Sequence, residues 1–141
     1  MADKTTQSAN DVVNYLVRNA APSWDGATTL YVSLHTGAVG LGGDQTSNEA
    51  NYTGYARIPI TRSGAGTFNA ASAGVAVTNA LLQFGVCTGG TLPQTMTHAS
   101  LGENASGAGT VIVTAALASS IVVNINSVPQ FGIGNMSVGE Q

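Results

Sequence analysis

Beyond Thr28 the apolar residues of each short run recur at every second position, a period that suits a strand and not a helix. Leu30, Val32 and Leu34 alternate with Tyr31, Ser33 and His35. Ala56, Ile58 and Ile60 alternate with Tyr55, Arg57, Pro59 and Thr61. Pro59 has no N–H to give to a ladder, so its strand is expected at a sheet edge or a bulge. Further short strands are expected at residues 67–69, 75–78, 82–86, 95–101, 111–117, 121–125 and 130–133. Clusters of Gly, Asn, Pro and Ser separate them, as turns require. Many short strands with Gly-rich turns imply an all-β sandwich or barrel, and no strand–helix alternation suggests a parallel sheet.

One segment breaks the pattern. Val12, Val13, Leu16 and Val17 recur at helical spacing, with Ser8 or Asn10 placed to cap them and Arg18 suited to the last turn. A short helix is therefore expected over residues 11–19, ended before Pro22. The residues ahead of it, 1–7 or so, read as a flexible arm. The 141 residues suit a single domain. A chain of that length buries roughly 68–70% of its unfolded surface, so its core needs no disulfide or metal. Cys87 has no partner for an intramolecular bond and sits after an apolar run, where it reads as a small buried hydrophobe.

Charge narrows the function classes. Only 8% of the residues are charged, against roughly 25% in ordinary soluble domains. No Asp, Glu, Lys or Arg lies between Arg62 and Glu103, and none between Glu103 and Glu140. A surface of Ser, Thr, Asn, Gln and Gly is only weakly repelled by its neighbours. That points to life in an assembly, the other reading being a neutral monomer. A net charge of −3 argues against a nucleic-acid partner, which calls for basic patches. The longest apolar runs, 110–118 and 120–125, fall far short of the roughly 20 residues of a membrane helix. No membrane partner and no secretory signal are expected.

The inventory for chemistry is thin. His35 and His98 each lie in a strand pattern among polar neighbours; they could meet across a sheet, but a third and fourth zinc ligand are not apparent. Their ordinary role is a partly exposed histidine bonded to backbone or water. The long segment 36–54 is of a length that is often functional or mobile. It holds Asp44, Gln45, Asn48 and Glu49, oxygens that calcium could use, yet the EF-hand spacing is missing. Asp25, Asp44, Glu49 and Glu103 supply carboxylates, but nothing pairs them for glycoside cleavage. Gly40, Gly42 and Gly43 lack the lysine and helix of a phosphate loop. No catalytic residue, cofactor or metal is expected. Sequons at Asn51, Asn104 and Asn135 read as chance matches without a secretory signal.

One stretch is distinctive: Leu30-Tyr31-Val32-Ser33-Leu34-His35-Thr36-Gly37, then Gly43-Asp44-Gln45-Thr46-Ser47-Asn48-Glu49-Ala50, then Tyr52-Thr53-Gly54-Tyr55-Ala56-Arg57. It resembles a family of small virion proteins of tailed bacteriophages. In that family a Leu-His-Thr strand leads to an Asn-Glu…Tyr-Thr-Gly-Tyr-Ala-Arg segment. Thr95-Met96-Thr97-His98 is similar to a later strand of the same family, although Ala99-Ser100-Leu101-Gly102 stands where most members have Phe-Gly-Ile. The likeness spans roughly residues 12–101.

Some members carry tail-fibre labels. Others resemble capsid cement (decoration) proteins with an antiparallel jelly-roll sandwich of eight strands. The resemblance implies a structural virion protein, made in the host bacterial cytoplasm. It would sit on the outer surface of the capsid, clamping the major capsid protein of an HK97-type shell, and is expected to be a homodimer. A tail or tail-fibre role in host attachment is the alternative. Tyr52, Tyr55, Arg57 and Arg62 are the expected contact residues, because Tyr and Arg dominate interface hot spots. The other use of Tyr55 and Arg57 is to cover the solvent face of a strand.

Overall fold

The threonine hydroxyl at Thr5 opens the only helix among the described residues. It accepts the Ser8 N–H at 3.3 Å and so caps α1, Thr6–Arg18. Asn19 closes α1 in the left-handed conformation at φ 53°, which asparagine tolerates. The helix thus begins five residues before the expected start, since the cap lies upstream of both Ser8 and Asn10. The computed structural model describes residues 3–64 and 66–139.

The arm expected ahead of the helix is tied down from Asp3 onward. Asp3 exchanges two backbone hydrogen bonds with Thr114, and Thr5 and Ser8 are buried. Residues 1 and 2 lie outside the described part.

Among the described residues eight strands follow α1: β1 (Thr29–His35), β2 (Ile58–Thr61), β3 (Val75–Val77), β4 (Leu82–Gln83), β5 (Gln94–Gly102), β6 (Val111–Val123), β7 (Gln130–Phe131) and β8 (Ser137–Gly139). All described pairings are antiparallel. β2, β1, β5 and β6 form a four-stranded sheet in that order, while β3–β8 and β4–β7 are two-stranded ribbons. The chain is therefore mostly β with one short helix. The expected arrangement of two complete sheets is not what the strands form. Instead β3–β8, β4–β7 and β5–β6 are nested pairs, each enclosing the next.

Pro59 lies exposed on β2, at the sheet edge its missing N–H predicts. The runs at 111–117 and 121–125 join into the single strand β6. Its register against β5 slips between Met96↔Ile121 and His98↔Ala116, so residues 117–120 bulge out of the ladder. Residues 67–69 supply only an isolated bridge, Phe68 to Thr78.

The core lies over the central strands. Leu30, Val32 and Leu34 of β1, Ile60 of β2, Met96 and Leu101 of β5, and Val113 and Val123 of β6 are buried in one cluster. Leu82, Phe84 and Cys87 join it. Cys87 is free and buried, as its apolar setting predicts.

Candidate functional site

Alternation along β1 sets Ser33 and His35 opposite the apolar Leu30, Val32 and Leu34, where polar residues would normally face water. Both are nevertheless buried. The segment 36–54 folds back over them; its backbone joins β1 through Ala50 N–H to Leu34 O (2.9 Å), and Thr36 N–H to Asn48 O (2.8 Å) closes the segment on itself. A polar layer inside a protein is costly unless its groups find partners; His35 finds two, while the buried Ser33 hydroxyl has none.

His35 Nδ1 lies 2.8 Å from Ser47 O, and Nε2 lies 2.7 Å from Ser100 Oγ. Burial holds the His35 pKa below its ordinary value. The Ser47 carbonyl and Glu49 pull against that shift, and Arg57 and His98 add to it.

Glu49 is the hub. Its Oε1 accepts from Arg57 Nε at 2.6 Å and its Oε2 from Arg57 Nη2 at 2.7 Å, a two-bonded fork that suits guanidinium geometry. The Tyr55 hydroxyl donates to Glu49 Oε1 at 3.0 Å and accepts the Leu34 N–H at 3.1 Å. Arg57 also donates to the carbonyls of Asn104 and Gly107, each at 2.9 Å, so it ties the 36–54 segment to the β5–β6 turn. The Glu49 hydrogen bond holds the Arg57 pKa above its ordinary value, against the cost of burial. Burial also raises the pKa of both tyrosines, Tyr52 to about 12.

Gln45 makes the second clasp. Its Oε1 accepts the Asn104 N–H at 2.8 Å and its Nε2 donates to Asn104 O at 3.2 Å. The side chain is fully buried between Gly102 and Gly109, where a Cβ on either glycine would overlap it.

Three of the four expected contact residues are therefore used inside the chain. Tyr52 is buried, stands edge-on to Tyr55 at 5.5 Å and donates to Gly85 O at 3.0 Å. Tyr55 stacks on Phe84 at 5.9 Å. Arg57 is buried on Glu49. Neither Tyr55 nor Arg57 lies open on the solvent face of a strand: Arg57 is buried and Tyr55 is half-buried, both bonded to Glu49 of the folded-back segment.

Arg62 is the exposed member. It is held in place nonetheless, lying 5.8 Å from the Trp24 ring centre and donating through Nη1 to the carbonyls of Trp24 (2.5 Å), Asp25 (3.3 Å) and Ala27 (2.7 Å).

The other candidates also have internal jobs. Asp44 binds the Thr46 N–H and hydroxyl in a local turn, at 2.8 and 2.6 Å. Glu103 accepts from Ser23 Oγ at 2.6 Å and from the Thr110 N–H at 3.0 Å. His35 and His98 are register partners across β1 and β5, and His98 meets the Thr97 hydroxyl at 2.9 Å. Among the described residues no group of three or more His, Cys, Asp or Glu is placed to hold a metal. The contact His35–Ser100 resembles a base and a nucleophile, and both residues are buried, His35 0% and Ser100 1% exposed. No helix among the described residues is long and apolar enough to cross a membrane.

What sequence reasoning missed is that segment 36–54 is a fastened cover and not a free loop. Glu49 and Arg57 carried a signal, being opposite charges in a chain with so few. Gly102 and Gly109, which make room for Gln45, carried another.

Among curated proteins none matches the chain. A model of the podophage GP4 fiber I protein gp80 family matches residues 3–139, from the Asp3 bridge to the last described residue of β8. The match embraces the fastened segment, its partners on β1 and β5, and both ribbons, so the chain belongs to the podophage GP4 fiber I protein gp80 family, a family of phage virion proteins.

Proposed function

We propose that the chain is a non-catalytic structural subunit of a podophage fibre, working through protein–protein contact and self-association as a homodimer. The family match over residues 3–139 is the observation that carries this reading. Two features support it. The polar groups that could do proton chemistry are spent on one another beneath segment 36–54. The surface is almost free of charge beyond Arg62, which lowers the repulsion between packed copies. No cofactor, nucleic acid or membrane enters this reading.

The nested pairs β3–β8, β4–β7 and β5–β6 are the pattern left when a long antiparallel ribbon is rolled up, and they support a jelly-roll origin for the fold. The alternative is the cement role, on the outer surface of the head against the major capsid protein of an HK97-type shell. The size of the chain, its short N-terminal helix and its eight described strands favour it.

Gold-labelled antibody against the purified chain separates the two on intact virions. Label at the fibres supports the proposal, and label spread over the head overturns it in favour of cement.

A further inference from the structure

The helix α1 is turned inside out. Its docking edge is polar: Thr5 Oγ1 donates to Val111 O at 2.8 Å and Ser8 Oγ to Ile112 O at 2.7 Å, and Ser8 is its one buried residue. Its apolar stripe faces water, with Leu16 75%, Val17 73% and Val13 56% exposed. An ordinary surface helix does the reverse. The two hydroxyl anchors fix its rotation, so the outward stripe is built into the fold.

The same chain carries an apolar groove of about 1030 Å³ between the β5–β6 face and the β3–β8 ribbon. Leu101, Val113, Leu117, Ile121, Met136 and Val138 give it its apolar character. Among the described residues, Asp3 and Lys4 are the only charged ones that line it.

We propose that α1 of one copy seats its Val13–Leu16–Val17 stripe in this groove of a second copy, and that the exchange is reciprocal across a two-fold axis. The proposal rests on the self-association reading above and names the surfaces that carry it.

Three observations select a second copy as the occupant. The dimensions agree: the stripe over residues 13–17 is about 6 Å long and fits within the groove, which follows β6 over residues 113–119, roughly 20 Å of strand. The chemistry agrees, because an uncharged stripe meets an uncharged floor, which is the helix-in-groove mode of recognition. The placement agrees, because Asp3 and Lys4 line the groove and lead directly into α1. Helix and groove are therefore neighbours, and one two-fold axis beside these residues completes both contacts at once. Each copy then contributes a helix and a groove, which doubles the buried area that either contact supplies alone.

Sedimentation or native mass spectrometry on the full chain tests this, with circular dichroism to show that each variant is folded. The wild type is expected to be dimeric at micromolar concentration. Leu16→Glu with Val17→Glu changes only exposed positions and is expected to weaken the dimer ~100-fold or more. Ala118→Glu, on the exposed groove wall, is expected to do the same from the other side. Mixing the two variants restores one intact helix–groove contact, so a mixed dimer should be stronger than either variant alone. A wild-type dimer that survives both variants overturns this proposal and leaves self-association standing. A mixture no stronger than its parts overturns the helix-in-groove pairing. A wild-type chain that stays monomeric at 100-fold higher concentration overturns the homodimer reading and this proposal together.

Discussion

Arg57 and Glu49 are joined by two hydrogen bonds of 2.6 and 2.7 Å, with the arginine side chain 2% and the glutamate 17% exposed. Removing one partner leaves the other charge buried and uncompensated, which costs about 3–5 kcal/mol. Glu49→Ala and Arg57→Ala should each lower the urea midpoint sharply, with the double variant far less harmed than the sum of the two. Arg57→Lys should not rescue, since a point charge cannot make the fork and also reach Asn104 and Gly107. Additive losses would show that the pair is not coupled.

The N-terminal residues should matter for stability. Thr5→Ala removes the helix cap and a buried donor to Val111, a loss of about 1–2 kcal/mol. Deleting residues 2–8 removes the Asp3–Thr114 bridge and the Ser8 anchor as well, and should cost more. Denaturation midpoints measure both. An unchanged midpoint on deletion would mean that these residues are a free arm after all.

His35 makes stability depend on pH in a defined window. In the unfolded chain it titrates near 6.5, and in the fold its pKa is lower because it is buried. Between those two values the unfolded state holds more protons, so stability is full above about pH 6.5 and is lost as pH falls through the lowered folded value. Wild-type protein should be less stable at pH 5 than at pH 7.5, and His35→Gln should flatten that slope. Asp44 and Glu103 are also held below their ordinary values of 3.8 and 4.5, so their contributions are lost only in more acid solution. A His35→Gln variant with the wild-type slope would place the titrating group elsewhere.

Gly102 is needed for the Gln45 clasp. A methyl there meets an amide that is fully buried and bonded to Asn104 on both sides, so it cannot move aside freely. Gly102→Ala should cost about 1–3 kcal/mol by overpacking. Combining it with Gln45→Ala should recover part of that loss. Calorimetric melting of the three variants decides the point.

Much of the fold was legible because a sheet writes its period into the chain. β1, β2, β5 and the start of β6 fall where alternation places them, and Pro59 marks its edge. β8 was not legible, since Ser137, Val138 and Gly139 are too few to show a period and are strand only through pairing with β3. The 117–120 bulge hid the unity of β6.

The site was harder to read for a different reason. Gln45, Glu49 and Arg57 look like solvated residues when judged by type. Gln45 and Arg57 are buried because their partners, Asn104 and Gly107, arrive from about 50 residues away, and Arg57 in turn covers Glu49. The residues of the helix stripe were named correctly from spacing, but spacing does not say which way a stripe faces.

The central claim is that this fold is a fibre subunit whose work is contact. A cryo-electron reconstruction of the intact podophage virion tests it most directly. The account predicts that the chain is traceable within the fibre, with residues 36–54 folded over His35 as found in the isolated chain. Density for the chain confined to the head shell, or its absence from the virion, would contradict it.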